Sequence, residues 1–172
     1  MAKLRKAVAY RRLERPYTRK SKYKKLSYVR STPTSKVVRY DMGTQGKDFA
    51  HRFHLLSKSD IQIRHNAIES ARVACVRVLE GSLGKSAFRF QIRMYPHHIL
   101  RENPLAAGAG ADRMSTGMQR SFGKCIGVAA QVRKGKEILT IEVDDPNSEV
   151  ARAALKAAGH KFACRTQIIQ ER

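Results

Sequence analysis

Read for hydrophobic period alone, the chain divides into a polar N-terminal stretch, a periodic body and one aperiodic interruption. His51–Ser57 and Ile61–Arg64 have the length and the apolar content of short strands. In Asn66–Leu79, Ile68, Ala71, Cys75 and Leu79 recur at helical spacing, while Glu69, Arg72 and Arg77 fall on the other face. Gly81 and Gly84 are placed to end that helix. The period then changes to two. Phe88, Phe90, Ile92 and Met94 alternate with Arg89, Gln91, Arg93 and Tyr95, which predicts a strand with one buried face and one cationic face, closed by Pro96.

Further on, Ile126–Arg133 and Lys136–Val143 flank Lys134-Gly135 and predict a hairpin with glycine where positive φ is needed. Asp145 supplies an N-cap, Pro146 the first helical position and Glu149 a charge suited to a helix start. A helix over Asn147–Ala158 follows, with Val150, Ala154, Leu155 and Ala158 as its apolar side and Gly159 at the left-handed C-terminal position. Phe162–Ile169 reads as a final strand. Together these elements predict an α+β sandwich, two main helices packed on one face of a mixed sheet, with no internal repeat and no second-domain linker.

The interruption is RENPLAAGAGADRMSTGMQRSFGK, residues 101–124. Structureless loops longer than about a dozen residues are usually functional or disordered. Gly108, Gly110, Gly117 and Gly123 let the backbone pass close to another surface, and Arg101, Arg113, Arg120 and Lys124 space cations along it. Met114, Met118 and Phe122 add soft apolar contacts. That composition suits a finger inserted between strands of RNA.

Charge sharpens the expectation. Of 172 residues, 35 are Lys or Arg and 14 Asp or Glu, a net charge of +21 that implies an acidic polymer as partner. Residues 1–30 hold 12 basic and 1 acidic residue, about half the excess. Residues 1–34 therefore read as a basic extension, extended when free, ahead of a single domain over 35–172. Its Arg11, Arg12, Arg15, Arg19, Lys20, Lys22, Lys24 and Lys25 are candidate phosphate contacts. The interleaved Tyr10, Tyr17, Tyr23 and Tyr28 are of a type that stacks on unpaired bases. In the body, Arg89, Arg93, His98 and Lys124 join the candidate RNA-binding set. An anionic membrane surface fits less well, because the stretch lacks an apolar stripe. Nowhere do about eighteen apolar residues run together, and no apolar segment follows the basic N-terminus, so neither a membrane span nor secretion is expected.

Enzyme chemistry finds little purchase. Gly108-Ala109-Gly110 starts like a dinucleotide fingerprint, but Arg113 occupies its third glycine position. Gly117 and Gly123-Lys124 have phosphate-loop character with the wrong spacing, and Cys125 replaces the magnesium-ligating hydroxyl. His97, His98 and Glu102 lie close enough in sequence to suggest acid and base steps of RNA cleavage, so an RNA-processing enzyme stays open as an alternative. A DNA-architectural protein stays open too. His51 and His54 lack the further ligands of a metal site, and no cofactor is called for. Cys75, Cys125 and Cys164, an odd number without CxxC spacing, read as buried free thiols of a reducing, cytoplasmic compartment.

The run MYPHHILRENPLAAGAGADRMSTGMQRSFGK, with the NAIESAR helix and the RRLERPYTR start, resembles the universal large-subunit ribosomal protein family called L-sixteen in bacteria and L-ten-e in archaea and eukaryotes. The resemblance covers nearly the whole chain, most specifically in Arg101–Asn103 with Ala109–Arg113 and in Gly117-Met118 with Phe122–Lys124. It implies an α/β-hammerhead-like fold. It also implies binding to large-subunit ribosomal RNA near the aminoacyl-tRNA site, with neighbouring ribosomal proteins and tRNA as further partners. Loop 101–124 would reach toward the peptidyl-transferase centre, where RNA does the chemistry, and Arg101, Gly108, Gly110, Arg113, Met114, Arg120 and Lys124 take on a tRNA-proximal role. Cys125 departs from the proline frequent in the family, and His97 from a frequent aromatic. The lack of a long charged C-terminal extension makes the chain look most like the archaeal form.

Overall fold

The computed structural model describes residues 5–18, 23–26, 28–29, 31–102 and 123–171. The expectations for Arg19, Lys20, Lys22, Gly108, Gly110, Arg113, Met114 and Arg120 therefore lie outside the described residues. Among the described residues, eight strands and two α-helices follow one another as β1 (Asp41–Gly43), β2 (His51–Ser57), β3 (Ile61–Arg64), α1 (His65–Leu83), β4 (Phe88–Ile92), β5 (His98–Glu102), β6 (Lys124–Val132), β7 (Glu137–Val143), α2 (Ser148–Gly159) and β8 (Thr166–Glu171). The fold is α+β.

Instead of one mixed sheet, the described strands form two antiparallel ones. The larger has the order β1-β4-β7-β2-β8 and the smaller β3-β6-β5. Alternation in β4 works as the sequence predicts: Phe88, Phe90 and Ile92 are buried and Arg89 and Gln91 turn outward. The buried set meets Phe53, Leu55 and Ile141 from the neighbouring strands, and α1 and α2 close over them with Ile68, Cys75, Leu79, Ala154 and Leu155.

The expected hairpin is corrected. Its turn forms, with Gly135 at φ 80° and the Lys136 N–H donating to the Arg133 carbonyl at 3.1 Å. Yet β6 runs between β3 and β5, while β7 runs between β4 and β2. The turn is a corner between sheets, pinned from outside: the Gly135 N–H donates to Ser57 O at 2.8 Å and the Lys134 N–H to Asp60 Oδ1 at 2.7 Å. Each strand is central to its own sheet, so both ladder edges of each are taken by other partners.

Two glycines also change role. Gly81 lies inside α1, which continues to Leu83 and ends at Gly84, where φ is 76° and the N–H still reaches Glu80 O. Gly159 is helical and the cap is His160 in the right-handed region, so no left-handed residue ends α2. Space decides there: a Cβ on Gly159 would stand 2.9 Å from Thr166 Oγ1, at the start of β8. The strand expected from Phe162 begins only at Thr166, Phe162 being buried in the turn before it.

Candidate nucleic-acid interface

The described N-terminal part of the basic extension, residues 5–18, lies on the small sheet rather than apart from the body. Gln62, in the middle of β3, donates its N–H to Arg11 O at 2.9 Å and its side-chain amide to Tyr10 O at 3.0 Å. Opposite it on β6, Gln131 donates to Glu14 O at 2.8 Å and to Gln62 Oε1 at 3.0 Å. Arg64 reaches Arg5 O. The chain from 5 to 15 is thus held chiefly by its carbonyls, which leaves most of its side chains to solvent. Arg11, Arg12 and Arg15 are exposed and, among the described residues, none holds an ion pair. Lys25 and Lys124 are likewise exposed, and Lys24 opens the short 3-10 turn Lys24–Leu26.

Tyr17 is the fixed point. It is buried with Val29, Ile99 and Val128 in a second cluster separate from the main core, so a base has no access to that ring. Its N–H donates to His98 Nδ1 at 2.8 Å, its carbonyl accepts from the Ile99 N–H, and its hydroxyl donates to Tyr28 O at 2.6 Å. Of the other tyrosines, Tyr23 is exposed, Tyr28 is half-buried, and the half-buried Tyr10 carries the Arg64 guanidinium over its ring. Burial holds the His98 imidazole below the usual histidine range, with the nearby Arg101 adding to the effect and Glu14 opposing it. The neutral ring is what an acceptor Nδ1 requires.

This same cluster grips both arms of the 101–124 loop. Arg101 pairs with Cys125 and Glu102 with Lys124 across β5 and β6, so the loop leaves from a closed ladder. The register slips between Leu100 and Arg101, a β-bulge of the kind that re-aims a strand end. The Arg101 guanidinium lies 3.7 Å from the centre of the Tyr17 ring, and Glu102 is ion-paired with Arg5. Extension and loop base are therefore one assembly.

Arg89 and Arg93 have different surroundings. Across the outer face of the large sheet, the register aligns Arg89, Glu142, Arg52 and Glu171 on β4, β7, β2 and β8, a row of alternating sign. Arg52 Nε meets Glu142 at 2.9 Å, Arg89 meets Glu142 at 3.5 Å and Asp41 at 3.0 Å, and Arg93 meets Glu137 at 3.2 Å. His54, nearly buried in this face, contacts Thr140 and Glu171, and its hydrogen bond holds the Glu171 carboxyl below the usual range. The face that a single strand makes cationic is neutralised by its neighbours.

His97, His98 and Glu102 do not converge. His97 is exposed against Tyr95, His98 is occupied by Tyr17, and Glu102 by Arg5. His51 pairs with Asp145, away from the partners of His54. Cys75 alone of the three thiols is fully buried, which pushes its pKa up; Cys125 and Cys164 are half-buried. Sequence reasoning missed Gln62, Gln131 and the Arg5–Glu102 pair. A signal for the first two was present: an amide inside an otherwise apolar strand must find partners when buried.

The family described as "Ribosomal protein L16p/L10e" matches residues 14–169. A protein named "Large ribosomal subunit protein uL16" from Methanococcus aeolicus is 46% identical over 96% of this chain and 93% of its own length. The proteins of the same name from Methanococcus maripaludis and Archaeoglobus fulgidus are 48% and 41% identical, again over 96% of this chain and over 93% and 92% of their own lengths. By the extent of these matches, the chain belongs to the Ribosomal protein L16p/L10e family.

Proposed function

We propose that this chain is a structural component of the large ribosomal subunit, that it binds ribosomal RNA near the aminoacyl-tRNA site, and that loop 101–124 helps to position tRNA beside the peptidyl-transferase centre. Family membership supports the subunit and the RNA, and with them a place on cytoplasmic ribosomes among neighbouring ribosomal proteins. The observation that carries the rest is the assembly of the basic extension with the loop base. Arg11, Arg12, Arg15 and Lys25 of the extension, and Lys124 at the foot of the loop, are exposed and hold no ion pair among the described residues; Arg19, Lys20 and Lys22 extend that series in sequence. Domain 35–172 supplies the scaffold. RNA seated on the extension then fixes the direction in which the loop departs, through Tyr17–Arg101 and Arg5–Glu102. Arg113, Met114 and Arg120 are the loop residues assigned to tRNA.

No step of catalysis is assigned to the protein. The test is a reconstituted large subunit in which Leu105–Gln119 is replaced by a short Gly-Ser linker. Shortening a connecting segment alters closure entropy modestly, so the domain folds and enters the subunit, while tRNA binding at the aminoacyl site falls. Normal tRNA binding and peptide-bond formation by such subunits would remove the loop's assigned role, and failure of the full chain to co-sediment with large subunits in a sucrose gradient would remove the ribosomal one.

A further inference from the structure

Beside the extension, two rings stand in solvent where neither the core nor the loop base uses them. From Met94 to His98 the chain alternates strictly: Met94, Pro96 and His98 are buried, Tyr95 and His97 exposed. Pro96 occupies the centre of a three-residue turn in which the His97 N–H donates to Tyr95 O at 3.0 Å. Proline's fixed φ suits that turn, which folds the flanking residues toward each other. The two rings consequently meet with centroids 4.5 Å apart and planes 46° apart. Tyr95 also stacks on Tyr40, 5.4 Å away at 24°, while remaining 54% exposed. Tyr95 thus contacts both other rings, and it and His97 are exposed while Tyr40 is half-buried.

Two clefts share Thr18, Tyr95 and His97 as walls. One, of about 390 Å³, continues to Pro33 and Ser35; the other, of about 430 Å³, continues to Gln131 and Lys136. Both fall in the range of small-ligand sites. Lys136 is exposed and holds no ion pair among the described residues. An aromatic face, hydroxyl and amide edges, and a free ammonium are complementary to one unpaired nucleotide: ring to ring, base edge to hydroxyl or amide, phosphate to ammonium. A duplex does not fit this requirement, because its bases are stacked on one another, and a bare phosphate leaves the rings without a partner.

We propose that the Tyr95–His97 ledge is a docking platform for a single unpaired RNA base, with Lys136 holding the adjoining phosphate. The proposal rests on the RNA-binding reading above and adds a point at which a base, not only the backbone, is engaged. It also gives the exposed His97 a use, because an imidazole stacks on a base as a phenyl ring does.

The test titrates the full chain with two fluorescein-labelled single-stranded RNA octamers of equal charge, one of mixed sequence and one abasic throughout. Wild-type protein binds the base-bearing oligomer about tenfold more tightly, the scale of one base-aromatic stack. The double variant Tyr95→Ala/His97→Ala loses at least two thirds of that preference, whereas His97→Phe, which preserves a ring, keeps it. Thermal melts confirm that the variants are folded, and His97→Ala alone, at an exposed position, gives a readout free of any loss at Tyr40. Arg11→Ala/Arg12→Ala/Arg15→Ala weakens both oligomers and leaves the preference intact. Full preference in the double variant, or no preference in wild type, overturns the platform while leaving RNA binding standing. Failure of wild type to bind either oligomer overturns both.

Discussion

The two sheets handle charge in opposite ways. On the outer face of the large sheet, every arginine of the Arg89–Glu142–Arg52–Glu171 row faces a carboxylate directly across a strand, and Arg93 has Glu137. Over the small sheet, the extension is tied down by backbone carbonyls bonded to Gln62, Gln131 and Arg64, and Arg11, Arg12 and Arg15 have no carboxylate partner among the described residues. Cross-strand register consumes charge in one place; carbonyl anchoring preserves it in the other. A net charge of +21 therefore does not distribute its function evenly. A polyanion gains most where cations are not already held by carboxylates, because each phosphate such a cation neutralises releases condensed counter-ions.

The largest effects are expected from the two cores. Phe90→Ala empties a fully buried site of the main core and should cost about 3–5 kcal/mol in chemical denaturation. Tyr17→Ala, in the small cluster, should lower global stability less yet expose residues 5–18 to protease. Equal global losses from the two would mean that the extension and body are one cooperative unit.

Next in size is the effect on RNA. Arg11→Ala/Arg12→Ala/Arg15→Ala should reduce the slope of log K against log salt by about 2 to 3, at roughly 0.7 to 0.9 per phosphate contact. Arg52→Ala/Arg89→Ala/Arg93→Ala should leave that slope nearly unchanged and cost at most about 3 kcal/mol of stability, since a partly exposed ion-pairing side chain contributes about 0–1 kcal/mol. A reversed pattern in a salt titration would move the RNA surface to the large sheet.

Acid sharpens the same contrast. His98 and His65, both lowered by burial, accept N–H bonds from Tyr17 and Lys36 respectively. A histidine whose folded pKa is depressed favours the native state above its unfolded value of about 6.5 and loses that contribution as pH falls toward the folded value. Between pH 7.5 and 5, the protection of the Tyr17 and Lys36 amides, relative to their intrinsic exchange at each pH, should therefore fall before that of amides in β4 and β7 does. A uniform loss of protection would assign the acid response elsewhere. The smallest effect expected is that of Tyr17→Phe, which deletes only the bond to Tyr28 O and should cost about 0.5–1.5 kcal/mol, read as faster proteolysis of the extension with an unchanged main transition.

Much of this was written in one dimension. The helical spacing of Ile68, Ala71, Cys75 and Leu79, the alternation from Phe88 to Ile92, the glycine turn at Gly135 and the bias of charge toward residues 1–30 all concern neighbours along the chain, and the structure contains each of them. The family was legible too, because its motif is an ordered run of residues. What only tertiary structure decided depends on partners distant in sequence. Periodicity states that β6 and β7 are strands, but not that Ser57 and Asp60 catch their turn and send them into different sheets. Composition states that Arg89 is a cation, but not that Asp41 and Glu142 meet it. Tyr17 resembles the other tyrosines of the extension until Ile99 and Val128 bury it. Local preferences are set by residues a few positions apart, whereas the neutralisation of a charge or the burial of a ring is set by pairing across dozens of positions, which no one-dimensional period encodes.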